Sequence, residues 1–369
     1  MRDMKNKFRR FFFWSFLFLA SCSLYPASCL ARSASDILAE IPVQQGGRIK
    51  PFDSFAREVV LVVTGQNSLE GHSSSELVWR WMADPENWFA KPMIPVTLKS
   101  LQNEFGLMVI RKKISPQNVL QHSVFLGKVK LAAGRREKKE RLSFEDRKRL
   151  EIYEHALLFQ DVAAAAIPGW IPNPEDPRAG WWPFQGMDSP EGQETLDHFF
   201  PGGKAPKIDV NFKAILKNIR ENPASAASAE SAQNLKSALA GLLESRGIIL
   251  DQKMVAMELH YNRFQPFGWA WKFYLATVVL FLFAGARLHR GGTIAALGFF
   301  AVGFLIHLYG FYIRCMIAGR PPVTNMYESI IWVSWGVVFF SIILTCIYRA
   351  YLIPAVAAAI AAAALLIAQ

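Results

Sequence analysis

From residue 269 onward the chain is apolar almost without interruption, in four helix-length segments at Trp269–Leu288, Thr293–Ile313, Ser329–Ile347 and Tyr351–Ala368. Each is near the ~20 residues that cross a bilayer core. In hydrocarbon every backbone N–H and C=O must be satisfied within the segment or a closed barrel, so such runs fold as helices. Residues 267–369 are therefore expected to form an α-helical polytopic membrane domain of about four spans. Trp269, Trp271 and Phe273 suit an interfacial aromatic belt, with Lys272 reaching to the headgroups. Arg287 and Arg290 fall in the first tight turn and Arg349 in the third, so both turns are expected on the cytoplasmic side. The loop Ala318–Glu328 then faces outside.

The other end of the chain has a signal-type layout. Arg2, Lys5, Lys7, Arg9 and Arg10 precede Phe11–Ala20, which is apolar except for Ser15. Residues 1–31 read as a signal peptide or membrane anchor. Leu19-Ala20-Ser21-Cys22 fits a lipobox, which would make Cys22 a lipidated N-terminus. Retention of Phe11–Leu30 as an anchor, or cleavage near Ala31, are the alternatives. Each reading exports residues 32–266, giving a bacterial inner-membrane protein with a large extracytoplasmic domain. The net charge of +11 is not read as a nucleic-acid footprint, because the excess sits beside apolar spans or in one charged segment. The four cysteines, Cys22, Cys29, Cys315 and Cys346, all lie outside 32–266. That domain therefore has no disulfide framework. No CxxC or CxxCH occurs, which excludes a thiol oxidoreductase and a c-type cytochrome.

The exported domain reads as mixed and α-rich, and its pattern specifies no particular fold. Gly46-Gly47 marks a turn, and Asp53 or Ser54 can cap a helix starting near Phe55, with Phe55, Val59 and Val62 on one face. Trp79, Trp81 and Trp88 are expected as core or lid aromatics. Lys128–Arg149 reads as a solvated charged face, continued by an amphipathic helix over Phe144–Ala166 with the stripe Leu150, Tyr153, Leu157 and Leu158. Ile167–Gly203, rich in Pro, Gly and Trp, reads as a long ordered loop, and helix returns over Phe212–Ser245.

The candidate site lies on the second apolar segment. Gly303, His307, Gly310 and Arg314 are spaced to share one helix face. A histidine inside a span is a functional candidate by default. One reading is a flat strip beside the backbone for a planar macrocycle, with His307 ligating iron and Arg314 pairing with a propionate. The other is a helix-packing face of small residues, with His307 hydrogen-bonded to a neighbouring helix.

The run His307-x6-Arg314, then Gly319-Arg320-x-Pro322-x2-Asn325-x-Tyr327-Glu328-Ser329, then Trp335 resembles the CcsA/ResC family of system II cytochrome c biogenesis. The stretch VQQGGRIKPFDSFARE resembles a segment that precedes the membrane part in longer members. The resemblance covers Val43–Glu58 and Ala284–Gly336. It implies handling of heme b on its way to apocytochrome c outside the cytoplasm, with His307 as an axial ligand in the membrane. It also implies a ResB-like membrane protein that supplies the second membrane histidine. Arg320 is expected to pair with Glu328 across the loop or with a heme propionate. The family's tryptophan motif, WGxxWxWD, and its flanking external histidines are missing. The expectation is therefore the front part of such a protein, from a split gene, a frameshift or a truncated sequence. A further CcsA-type chain would then carry the motif. On this reading the chain is part of a heme lyase, inactive alone, with no assigned catalytic residue. A non-catalytic assembly or scaffold protein, whose exported domain binds a partner, is the alternative.

Overall fold

The computed structural model describes residues 32–107, 112–173, 204–248, 251–287, 290–321, 325–350 and 352–368, with position 323 and scattered positions between 176 and 198. The signal or anchor region, including Cys22, lies outside the described residues, as does Pro322. The chain divides into two compact units, residues 31–255 and the C-terminal part from Ala256.

The first unit opens with α1 (Ala34–Ala39) and a hairpin of β1 (Pro42–Gln45) and β2 (Arg48–Pro51) in register Gln45↔Arg48. Gly46 and Gly47 have φ of +59° and +77°, the left-handed pair that a two-residue hairpin turn requires. Helix α2 (Phe52–Thr64) follows directly, with Pro51 at its N-cap. It thus starts three residues before the expected position, because proline's fixed φ suits the strand-to-helix corner. Asp53 sits in its first turn, accepting from Ser75 Oγ at 3.0 Å and Arg57 Nε at 2.7 Å. The buried face holds Phe55, Val59 and Val63, whereas Val62 is exposed, because the 3.6-residue period carries it past the core edge.

Two short hairpins and a run of helices complete the first half: β3 (Ser68–Leu69), β4 (His72–Ser73), α3 (Ser74–Ala83), α4 (Pro85–Ala90), β5 (Ile94–Pro95), α5 (Lys99–Glu104), β6 (Lys113–Ile114), α6 (Pro116–Gln121), α7 (Ser123–Glu137) and α8 (Phe144–Ala163). Trp79, Trp81 and Trp88 are all buried, as the sequence predicts. The buried residues of α8 are Leu150, Ile152, Ala156, Phe159 and Val162, while Tyr153, Leu157 and Leu158 are half-buried. The charged run is not uniformly solvated. Arg149 is buried and meets Glu145 at 2.7 Å and Glu104 of α5 at 3.0 Å, compensation that a buried guanidinium needs.

The Pro- and Trp-rich segment docks on the first hairpin. Gln44 pairs with Gly169, Ile171 pairs with Trp182, and the Trp181 N–H donates to Gln44 Oε1 at 2.6 Å. A Cβ at position 169 would lie 2.5 Å from the Trp181 carbonyl oxygen, so only glycine fits there. Trp170 and Phe184 thereby join Phe52, Trp79 and Phe212 in one ring cluster, with centroids 3.9–5.3 Å apart along the chain of contacts. Phe212 belongs to α9 (Lys204–Glu221), which packs on α10 (Ala226–Ser245), and α10 on α1.

The second unit contains α11 (Gln252–Phe264), α12 (Pro266–Arg287), α13 (Arg290–Ala318), α14 (Met326–Tyr348) and α15 (Leu352–Ile367). Gln265, at φ +47°, separates α11 from α12, whose first residue is proline. Among the described residues, three helical stretches are long and apolar enough to cross a membrane: Gln252–Phe283, Gly291–Ala318 and Met326–Tyr348. The expected fourth span is an apolar helix of 16 residues. At ~1.5 Å per residue it reaches about 24 Å, short of a ~30 Å hydrocarbon core. Helix α12 packs chiefly on α13 and α15, and α15 on α14. The outward faces are apolar, with Leu282, Phe283, Val333, Phe340 and Leu352 exposed. Exposed apolar surface of this extent suits lipid rather than water.

Candidate functional site

His307 is fully buried on α13. Its Nδ1 lies 3.3 Å from the Tyr274 hydroxyl on α12, and Phe267 meets the ring edge-on with centroids 5.5 Å apart. The Nε2 has no hydrogen-bond partner. The Ile331 carbonyl of α14 lies toward the ring without forming a well-aligned bond to it. The tautomer sets which of the two donates: with Nδ1–H donating to the Tyr274 oxygen, Nε2 carries the lone pair that a metal-binding imidazole uses, and with the Tyr274 O–H donating, Nε2 carries the proton.

The two glycines do something else. A Cβ on Gly303 would come within 3.0 Å of the Tyr274 ring, and one on Gly310 within 2.7 Å of Pro266 Cγ. They let α12 approach α13, so the strip beside them is filled by protein. For the glycines, the small-residue packing alternative is what the structure contains.

The side of α13 toward α14 carries rings instead. Phe304 and Phe311 lie near-parallel to Trp335, with interplanar angles of 20° and 17° and centroids 6.3 and 6.2 Å away. Trp332 stacks on Trp335 at 5.3 Å, and Phe339 on the same ring at 5.2 Å. The Trp335 Nε1 is buried with no acceptor.

The loop after α13 is built from recognisable stops and starts. Gly319, at φ +63°, ends the helix in the left-handed conformation. Asn325 caps α14, its Oδ1 accepting from the Glu328 N–H at 2.7 Å. The Glu328 side chain is buried and reaches Arg314 at 3.4 Å. The Arg314 guanidinium lies over the Tyr327 ring at 5.0 Å, and the Tyr261 hydroxyl joins the group. Glu328 thus meets Arg314, the residue offered to a propionate on the spacing alone, and Arg320 is exposed on the loop. Carboxylate and guanidinium sit in the first turn of α14 and the last part of α13, where the chain folds back on itself.

One feature has no counterpart in the sequence reading. His260 on α11 bonds through Nε2 to the Tyr309 hydroxyl at 2.9 Å and stacks on Phe264 at 5.7 Å. The i, i+4 spacing of His260 and Phe264 marks their common face, but nothing local identifies Tyr309 as its neighbour. Among the described residues no group of three or more His, Cys, Asp or Glu converges to hold a metal ion.

The chain matches no protein-family model. It is 25% identical over 309 residues to Protein NrfI of Wolinella succinogenes, covering 79% of this chain and 32% of that protein. The chain thus spans about a third of the length of this curated relative.

Proposed function

We propose that the chain is a membrane subunit of system II cytochrome c biogenesis, binding heme b through His307 for delivery to apocytochrome c on the outer side of a bacterial cytoplasmic membrane. The observation that carries this reading is the His307 imidazole: fully buried, held at Nδ1 by Tyr274 and without a partner at Nε2. A buried polar atom left without a hydrogen bond costs stability, which coordination would recover. The similarity to Protein NrfI supports a relationship to cytochrome c biogenesis coarsely. His307 would hold the group through its imidazole; Gly303 and Gly310 do not fit as its cradle, because side chains of α12 lie against them. Heme, when bound, supplies the vinyl groups that become thioether-linked to the acceptor's cysteines. The protein's part would be to hold it through the imidazole and to exclude water with the rings of α13 and α14. A ResB-like membrane protein would supply the second histidine. A further CcsA-type chain carrying the tryptophan motif would supply presentation to apocytochrome c.

The test is a reduced pyridine hemochrome spectrum on the full chain purified in nanodiscs after heme supply. Wild type is expected to give a b-type spectrum. His307→Ala is expected to lose it at unchanged protein level, with partial recovery in external imidazole. A heme-free wild type, or full occupancy in His307→Ala, would leave the scaffold reading in its place.

A further inference from the structure

Helix α13 meets its two neighbours in opposite ways. Toward α12 it presents Gly303 and Gly310, where an added Cβ would lie 3.0 Å from the Tyr274 ring and 2.7 Å from Pro266 Cγ. Toward α14 it presents Phe304 and Phe311, and the contact is ring against ring with Trp332 and Trp335, on which Phe339 of the same helix stacks in turn. The first contact is a closed joint that cannot admit a ligand without losing its packing. The second is made by side chains that can rotate aside, and its outer rings are accessible: Trp332 is 43% exposed and Phe339 37%. Two buried polar atoms lack partners here, His307 Nε2 and Trp335 Nε1. Their positions bring them to one seam, since Trp335 stacks on rings three residues before and four after His307, and Ile331, one turn before Trp335, faces the imidazole.

We infer that the planar ligand of His307 enters between α13 and α14 from the membrane, stacking on Phe304, Phe311, Trp332, Trp335 and Phe339. The glycine face of α13 is structural. This rests on the heme reading above and assigns it a place and a wall. Flat conjugated rings stack offset at the separations that the ladder already adopts, so a macrocycle replaces ring–ring contact with like contact. The entrance lies on the lipid side, which matches a hydrophobic cargo.

Hemin titration of the full chain in nanodiscs tests this, read by Soret absorbance for affinity and by induced Soret circular dichroism for aromatic neighbours of the macrocycle. Trp335→Leu is expected to weaken binding by about tenfold, the scale of one lost stack, and to alter the induced dichroism. Trp335→Phe, which keeps a ring, should retain most of both. Trp332→Leu, at the exposed rim, provides the same comparison if Trp335→Leu fails to fold by far-ultraviolet dichroism. Wild-type affinity and unchanged dichroism in the folded leucine variant would overturn the seam while leaving His307 ligation intact. Absence of heme from wild type, or its full retention in His307→Ala, would overturn both.

Discussion

At Gly310 the room available is set by a proline on the facing helix: Pro266 Cγ would lie 2.7 Å from an added Cβ. Gly310→Ala must push α12 and α13 apart and is expected to cost about 1–3 kcal/mol, the range for overpacking. Gly336 has nothing within 4 Å of its would-be Cβ. Gly336→Ala should therefore be neutral or stabilising by up to ~1 kcal/mol through helix propensity. Thermal midpoints of the two variants in one detergent should move in opposite directions or leave only Gly310→Ala shifted. In the first unit, burial holds the His155 imidazole below the ordinary histidine range, against the nearby Glu151 and Glu154 carboxylates. Its Nδ1 is buried without a partner. Because the folded state binds this proton less readily than the unfolded state, stability is full above about pH 6.5 and falls as pH drops toward the folded value. Amide exchange of α8 is expected to lose protection between pH 7 and 5.5 after correction for intrinsic rates. His155→Phe should flatten that dependence.

The element scale shows what pattern reading can reach. Gly46-Gly47 fixed the first hairpin's turn, because the pair of positive φ angles is a local demand. The loop between α13 and α14 was legible for the same reason: Gly319 and Asn325 end and start helices through their own backbones. What stayed hidden was the identity of each face's neighbour. Spacing placed Gly303, His307, Gly310 and Arg314 together but could not say that α12 closes on the glycines and Glu328 meets Arg314. Likewise the stripe on α8 was displaced because Arg149 is buried through partners 45 and four residues away. The Arg314–Glu328 pair yields a test at this scale. Either Arg314→Glu or Glu328→Arg alone should destabilise the α13–α14 hairpin, whereas the double exchange should recover a substantial part, as seen in resistance to thermal aggregation. Asn325→Ala should cost about 1 kcal/mol, the usual loss of an N-cap.

Over the whole molecule, α12 ends at Arg287 and α13 begins at Arg290, and Arg349 caps α14 in the left-handed region at φ +54°. By the positive-inside rule these ends are expected on the cytoplasmic side. Single cysteines at Asn67 and Val323, both exposed, are expected to react with an impermeant maleimide in intact cells, and one at Gly291 only after permeabilisation. The opposite pattern would invert the topology. Expression of residues 1–369 in a host lacking its own maturation system, with a CxxCH acceptor, is expected to give no heme-stained acceptor band on denaturing gels. Such a band would show that attachment chemistry resides in this chain. The buried Arg314–Glu328 pair also has a consequence for the order of synthesis. Arg314 leaves the ribosome fourteen residues before Glu328, so α13 reaches the translocon carrying a cation whose counter-charge has not yet been made. An unpaired arginine deep in lipid is costly, and its long side chain can wait at the headgroup level. The ion pair forms only once α14 has followed, so the two helices are expected to insert as a unit rather than as two successive spans.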